Sequence, residues 1–447
     1  MAVKLFNTLS KTKEEFKPIH DTQVNLFVCG PTVYDYPHLG HGKTYTQFDV
    51  LVRALRYLGY QVFYLQNITD IDDKIINRAR ELGTDWKNLS LKFEKIYQED
   101  MALLGNTSVT EYARATDHID KIVTQVNTLL EKGYAYKISD GIYFETAKFK
   151  EYGKLSGRTE LKEDDSVSRI DEAKEKRGWN DFCLWKNSKP DEPYWDTPLG
   201  RGRPGWHIED TAITETFFGP QYDVHGGAID LIFPHHECEI AQMEAASGLA
   251  PLVRYWTHTG FLNIDSQKMS KSKKNFKTIR EVVEAGINPI AFRLWVLMAQ
   301  YRTTMNWNEE ALRATETALK RLYGLYKALG NEIGKVSETY KAKFKAFLED
   351  DLDTPRALTV LWDVLKDDAL SPADKKATVL DMDQVLGLGF ADLKEEEIPE
   401  KVLKLAQDRE IARKKNDFDK SDEIREKINA LGYSVKDTPE GPKVSKP

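Results

Sequence analysis

VNLFVCGPTVYDYPHLGHGKTYTQFDVLVRALRYLGYQVFYLQNITD, residues 24–70, is the stretch whose periodicity decides the fold. Val24 to Cys29 is a short apolar run closed by Gly30-Pro31, the pattern of a buried strand feeding a loop. Beyond His38-Leu39-Gly40-His41, the residues Phe48, Val50, Leu51, Val52, Leu55 and Leu58 recur mostly at helical spacing, and Gly59 stands where that helix should stop. Gln61 to Ile68 is again rich in strand formers. Strand, helix and strand within about 45 residues make one βαβ unit of a parallel sheet. Ligands of such sheets lie at the carboxyl ends of the strands, which is where Cys29 and the Thr69-Asp70 pair fall.

The remaining composition bounds the answer. With 447 residues the chain is too long for one core, and about three or four units are expected. An apolar fraction of 41% and a charged fraction of 30% are those of a soluble globular protein. No apolar run is long enough to span a membrane and the first residues do not form a signal peptide, so a cytoplasmic protein with no membrane partner is expected. Three cysteines, at 29, 183 and 238, exclude a disulfide framework; Cys183 reads as core. The net charge of −7 advertises no polyanion partner globally. Locally, residues 268–277, KMSKSKKNFK, carry five lysines and no acid, and Arg409, Arg413, Lys414 and Lys415 form a second basic group.

Along the chain, residues 116–205 change character: helical segments, a hairpin-like Asp140-Gly141, a charged stretch, then a Trp- and Pro-rich run. This reads as an insertion into the sheet. Sheet-like segments resume at His207-Ile208-Glu209, Tyr222 to Gly227 and Tyr255 to Ile264, with Trp256 and Trp307 as core. From about residue 311 to 390 the pattern is helical, Gly389-Phe390 and the acidic stretch 394–400 look like a linker, and the tail reads as a helix pair with a small hairpin. The expected fold class is α/β: a Rossmann-type parallel-sheet domain with an inserted domain, then a helical bundle and a small C-terminal α+β domain.

The histidine and lysine motifs suggest chemistry. Histidines at the amino end of a helix can donate to phosphate oxygens beside the exposed N–H groups of its first turn. His38, Gly40 and His41 fit an ATP-contacting element of that kind, and Lys268 and Lys271 suit a loop that follows departing pyrophosphate. Two such elements flanking an insertion are what activation of a carboxylic acid with ATP requires.

At this point the sequence resembles a known family, the class I aminoacyl-tRNA synthetases, and within it the cysteinyl-tRNA synthetases. The resemblance rests on FVCGPTVYDYPHLGH at 27–41, QNITDIDDKI at 66–75, GRPGWHIE at 202–209, HGGAIDLIFPHHECEIAQ at 225–242 and KMSKSKKNF at 268–276. The tail segment FDKSDEIREKINALGYSVKDTPEG, 418–441, is similar to the family's C-terminal domain. The resemblance implies ATP-dependent attachment of L-cysteine to tRNA(Cys) through a cysteinyl-adenylate, with Mg2+ accompanying ATP. His38 and His41 would stabilise the phosphate transition state, and Lys271, with Lys268, would hold the leaving group. It implies residues 1–115 and 206–260 as the two catalytic halves, 116–205 as a connective insertion, and 261–310 as the KMSKS-bearing region that meets the tRNA stem. It further implies 311–390 as a helical bundle and 395–447 as an anticodon reader, whose Arg409 and Arg413 would meet phosphates. Nothing suggests a dimer interface, so a monomer is expected.

The resemblance also implies one Zn2+ that binds the substrate thiol, held at positions 29, 210, 235 and 239. A thiol deprotonates on zinc far more readily than a hydroxyl, which would reject serine. Cys29, His235 and Glu239 match; His235 and Glu239 are i and i+4 on one helical face. The family motif reads Trp-His-Ile-Glu-Cys, whereas this chain reads Trp206-His207-Ile208-Glu209-Asp210. Three outcomes stay open: Asp210 ligates zinc through an oxygen at about 2.0–2.2 Å, Cys238 substitutes from i+3 of His235, or the metal is altered or absent. Thr69, Trp206 and Asp230 are expected to contact the amino acid, and His207 and His225 to line its pocket. Lys43 stands where the family commonly has arginine, which keeps the charge but not the bidentate fork. Two further readings remain: a ligase that passes cysteine to a small amine, against which the tail argues, and a non-catalytic RNA- or nucleotide-binding paralogue, against which the intact motifs argue.

Overall fold

The computed structural model describes residues 2–160, 174–269, 276–393, 399–438 and 441–445. Two compact units result, Met1–Ala391 and Asp392–Pro447.

The first unit is organised by a five-stranded parallel sheet in the order Val253–Thr259, Tyr222–Ala228, Gln23–Val28, Gln61–Ile68, Glu111–Arg114. The chain runs outward from Gln23–Val28 in one direction before the insertion and in the other direction after it. The order therefore reverses between Gln23–Val28 and Tyr222–Ala228, the crevice where such sheets bind ligands. Cys29 emerges there, its N–H donating to the Gly226 carbonyl at 3.1 Å.

The helix expected after the histidine motif spans Leu39–Tyr57 and is buried over most of its circumference, because it lies between the sheet and the helices Pro289–Leu297 and Pro372–Leu386. Its approach to the sheet needs Gly226: a Cβ there would come within 2.3 Å of the Phe48 ring.

The insertion forms an antiparallel sheet in the order Ala135–Ile138, Gly141–Phe144, Phe182–Asn187, Gly200–Pro204, Trp195–Thr197. Its apolar face does not close on itself. Ile142, Phe144, Phe182, Leu184 and Trp185 pack with Ile208, Ala212, Phe233, Cys238 and Ala241 from helices of the catalytic half, in one continuous core.

One expectation is corrected. His207-Ile208-Glu209 does not resume the sheet but opens the helix Ile208–Phe218, whose residues 208–214 are all buried. A helix buried on every side shows no amphipathic period, so a short apolar run reads equally well as a strand.

Beyond the sheet, helices Glu309–Lys327, Glu338–Glu349, Thr354–Lys366 and Pro372–Leu386 form the bundle. The second unit holds helices Glu400–Lys414 and Phe418–Ala430 and the hairpin Ser434–Thr438/Gly441–Ser445, around Val402, Ala406, Ile424, Ile428, Val435 and Val444. Arg409, expected to face phosphates, is instead 3% exposed and clamps Asp437 of the hairpin through two bonds of 2.6 and 3.2 Å. Arg413 joins the same carboxylate at 2.8 Å. An internal carboxylate within reach satisfies the guanidinium fork before any ligand does. No described helix is long and apolar enough to cross a membrane.

Candidate metal centre and adenylation site

Cys29, Asp210, His235 and Glu239 converge at the crevice from four elements. Cys29 follows the central strand, and Asp210 lies in the first turn of Ile208–Phe218. His235 lies just past a kink at Phe233, whose backbone is extended, on the segment that runs into the helix Glu237–Ser247 bearing Glu239. All four are buried, and their ligand atoms lie within 4.8 Å of one another. His235 Nε2 faces Asp210 Oδ2 at 3.0 Å and Glu239 Oε1 at 3.1 Å, and Cys29 Sγ lies 3.9 Å from Glu239 Oε1.

Electrostatics show what this cluster is suited to hold. Burial, followed by the charges of Glu239 and Asp210, pushes the Cys29 thiol well above its ordinary range. Burial and then Asp210 push the Glu239 carboxyl up in the same way. Three potential anions in a dry site repel one another, and a bound dication reverses that balance. Glu239 Oε2 is buried without a hydrogen-bond partner among the described residues. A thiol, an imidazole and two carboxylates with one unsatisfied oxygen fit a metal ion of zinc's borderline softness.

A second group shares Cys29 and Glu239 and adds His225 and His236. Their Nε2 atoms lie 3.3 and 3.2 Å from Cys29 Sγ. The Tyr222 phenol, kept protonated by burial, meets His225 Nδ1 at 2.6 Å; with the phenol donating, the ring proton sits on Nε2 and points at sulfur. That nitrogen then acts as a donor to the thiol rather than as a ligand. His236 Nδ1 meets His258 Nε2 at 2.8 Å, and His258 Nδ1 meets Thr8 Oγ1 at 2.7 Å. His207 Nδ1 backs His235 Nδ1 at 2.7 Å. Burial lowers the pKa of His207, His225 and His236, and lowers that of His258 to about 3. His207 and His225 are thus a buried layer behind the ligand groups, and Trp256 stacks on His225 at 4.4 Å.

Cys238 does not reach the cluster. Its thiol points into the insertion core, 3.6 Å from the Tyr152 hydroxyl, and it belongs to neither ligand group.

Around this centre lie the other expected site residues. Trp206 is half-buried and stacks on His235 at 4.2 Å. Thr69, at the end of its strand, donates to Glu209 Oε2 at 3.1 Å. Asp230 is exposed in the turn Ile229–Leu231, just past the carboxyl end of its strand.

His38 caps the helix Leu39–Tyr57 and His41 occupies its third position, in a reciprocal capping box. Each Nδ1 accepts a backbone N–H of the other residue at 3.3 Å, and the rings stack at 3.9 Å. With both Nδ1 atoms accepting, each neutral ring carries its proton on Nε2. Gly40 is required between them, since a Cβ would lie 2.8 Å from His38 Nδ1 and Cε1. The foot of the lysine segment is tied to this helix, with Leu39 N–H donating to the Lys277 carbonyl at 2.7 Å. Lys268 ends the short strand Gln267–Lys268; Lys271 lies outside the described residues.

Two neighbours were not expected as site residues, although Asn67 lies inside the 66–75 block. His258 is 5% exposed on a strand otherwise read as core, and Asn67 is 2% exposed and bonded to Asp210.

Comparison with known proteins bears on this geometry. Residues 15–317 match the family described as tRNA synthetases class I (C) catalytic domain, and residues 395–442 match the cysteinyl-tRNA ligase anticodon binding domain. A cysteine–tRNA ligase of Thermococcus gammatolerans is 42% identical over 99% of this chain and 98% of its own length. That of Thermoplasma acidophilum is 50% identical over 74% of this chain and 73% of its own. In fold, the chain is similar to Mycobacterium tuberculosis methionyl-tRNA synthetase in complex with methionyl-adenylate: TM-score 0.56, 15% identity, 82% of this chain and 90% of that one. It is also similar to the LeuRS–tRNA–LeuAMS ternary complex of Agrobacterium radiobacter K84: TM-score 0.61, 11% identity, 83% and 84%. The chain belongs to the cysteinyl branch of the class I aminoacyl-tRNA synthetases.

Proposed function

We propose that this protein ligates L-cysteine to tRNA(Cys) with ATP, through a cysteinyl-adenylate. The observation that carries the reading is the cluster of Cys29, Asp210, His235 and Glu239, with ligand atoms within 4.8 Å, at the sheet crevice of a cysteinyl-family chain. Those four residues would hold a zinc ion, which when bound would supply a borderline-soft Lewis acid that prefers the thiolate of cysteine to the hydroxyl of serine. Trp206 packs over the amino acid, Asp230 accepts from its ammonium group, and Thr69 lines the same pocket. His207 and His225 hold the ligand-bearing groups from behind. The cysteine carboxylate oxygen attacks the α-phosphorus of Mg2+-bound ATP, and the bond to the bridging oxygen breaks to release pyrophosphate. His38 and His41 donate Nε2–H to phosphate oxygens as charge builds there, beside the first-turn N–H groups of their helix. Gly40 keeps the space for the His38 ring, and Lys268 and Lys271 follow the pyrophosphate. The 2′-hydroxyl of the terminal adenosine then attacks the adenylate carbonyl and AMP departs. The protein acts as a cytoplasmic monomer.

Three assays test this on the full chain: cysteine-dependent ATP–pyrophosphate exchange, cysteine transfer to tRNA(Cys), and zinc content. The expected result is exchange, charging and about one zinc per chain. Exchange without charging would point to a small-amine acceptor, and absence of exchange would overturn the reading.

A further inference from the structure

Asp210 is a carboxylate where the family motif carries a thiol, and the two differ in what they need from their surroundings. A thiolate has one ligand atom. A carboxylate has two oxygens and a rotatable plane, so a buried one must have its second oxygen occupied if the first is to face a fixed point. The structure shows what occupies it. Asn67 Nδ2 donates to Asp210 Oδ1 at 2.6 Å, while Asp210 Oδ2 faces His235 Nε2 at 3.0 Å.

Asn67 is itself fixed. It lies on the strand Gln61–Ile68 beside the one that delivers Cys29, and its Oδ1 accepts the Gly30 N–H at 2.5 Å. A backbone N–H on one side and a carboxylate on the other leave only one orientation of the amide. Gly30 allows this closeness, since a Cβ there would lie 1.7 Å from the Asn67 carbonyl oxygen. Asn67 and Asp210 are 2% and 1% exposed, so no bulk water competes. One amide thus joins the peptide after one ligand to the carboxylate of another.

Resting on the zinc reading above, we infer that Asn67 is the positioning residue that makes aspartate at 210 a one-oxygen metal ligand: it holds Oδ1 so that Oδ2 alone addresses the metal. The dependence belongs to the carboxylate, and a thiol at 210 has no second atom for the amide to hold.

The test is a double-mutant cycle on the full chain: wild type, Asn67→Leu, Asp210→Cys, and the double variant. Leucine keeps the branching and the number of side-chain heavy atoms and removes both amide functions. Loss of the Gly30 bond is common to both backgrounds and cancels. Zn2+ affinity is read by chelator competition, and the ligand field by the visible spectrum of the Co2+-loaded protein. We expect N67L to weaken Zn2+ binding roughly 10–100-fold with Asp210, the usual effect of removing a residue that orients a ligand. The Co2+ bands should shift as the carboxylate turns. In the D210C background the same change should cost less than about threefold, with bands unmoved. Equal losses in both backgrounds would show a merely structural role and overturn the inference, as would no loss in either. If N67L fails to fold, Asn67→Ser takes its place under the same comparison. A wild-type protein that binds neither Zn2+ nor Co2+ would overturn the zinc reading and this inference together, whereas wild-type binding untouched by N67L would overturn this one alone.

Discussion

Gly40 and Lys43, three residues apart on the same helix, show how far single positions carry the chemistry. At Gly40 an added methyl must displace the His38 ring, since its Cβ would lie 2.8 Å from that imidazole. Alanine improves helix propensity by about 1 kcal/mol, and loss of the histidine cap removes about as much. Gly40→Ala is therefore expected to leave Tm within about 2 °C while cysteine-dependent pyrophosphate exchange falls about 10²-fold, the scale for losing a transition-state donor. Lys43 is fully buried and, among the described residues, meets only neutral oxygens: the Gly260 carbonyl at 2.7 Å, Gln47 Oε1 at 3.1 Å and the Tyr301 carbonyl at 3.4 Å. Burial lowers its pKa from 10.5 to about 7. The unfolded chain therefore holds more protons between about pH 7 and 10.5, so this group's contribution to stability rises with pH across that window. At ~1.4 kcal/mol per pH unit, the rise is at most ~5 kcal/mol. In urea unfolding, the stability of wild type minus that of Lys43→Met should climb from pH 6.5 to 10, and a flat difference would contradict the burial argument. The sequence showed a charge kept at 43; it did not show that the charge is dry, because burial comes from Gly260 and Tyr301, more than 200 positions away. The roles of Asn67, though it lies inside the 66–75 block, and of His258 were hidden for the same reason. Their meaning lies in Asp210 and His236, which they meet only in the folded chain.

At the scale of elements, the strands Gln23–Val28 and Gln61–Ile68 were readable because each is a short run of strand formers with a turn signal behind it, whereas the edge strand Glu111–Arg114, Glu-Tyr-Ala-Arg, carries no such signal. The helix Ile208–Phe218 was not readable either, since burial of every residue from 208 to 214 removes the period that distinguishes helix from strand. What fastens these elements was equally hidden. Arg293, on the helix Pro289–Leu297, is fully buried and bonds Asp49 Oδ2 of the histidine-motif helix at 2.7 Å, the Leu386 carbonyl at 2.6 Å and the Gly105 carbonyl at 3.1 Å. One guanidinium thereby joins the helix carrying His41, the loop after Leu103 and the end of a bundle helix. Gly387, with φ of 61°, turns the chain beside it, where a Cβ would lie 2.7 Å from Arg293 Nη2. Removing Arg293 takes one of two cations from the buried Asp49 carboxylate, which Arg53 still meets at 2.7 Å, and deprives the Leu386 and Gly105 carbonyls of their guanidinium donor. Arg293→Met is expected to lower unfolding free energy by ~3 kcal/mol. Arg293→Lys should recover only part of that loss, since an ammonium cannot span acceptors on both sides of the fork. Guanidinium denaturation of the three proteins measures the effect, and full recovery by lysine would show that charge alone matters.

For the whole molecule, the decisive fact is that the candidate metal cluster and the anticodon-type segment reside in different compact units. The ligand groups, the histidine motif and Lys268 all lie within Met1–Ala391, while the match to an anticodon binding domain covers residues 395–442 of the second unit. That second unit has its own core of Val402, Ala406, Ile424, Ile428, Val435 and Val444, closed by the Arg409–Asp437 clamp. Adenylate formation needs only ATP, cysteine and the crevice, whereas transfer needs a tRNA held at more than one point. A second contact module raises effective affinity by about 10²-fold or more without touching the reaction. A chain ending at Ala391 should therefore keep cysteine-dependent pyrophosphate exchange within about threefold of the full chain, while kcat/KM for tRNA charging falls about 10²-fold, mainly through KM. Equal loss of exchange and charging would mean that the first unit depends on the second for its own structure. Undiminished charging would mean that tRNA is held by the first unit alone, and that the insertion and bundle, rather than the tail, select it.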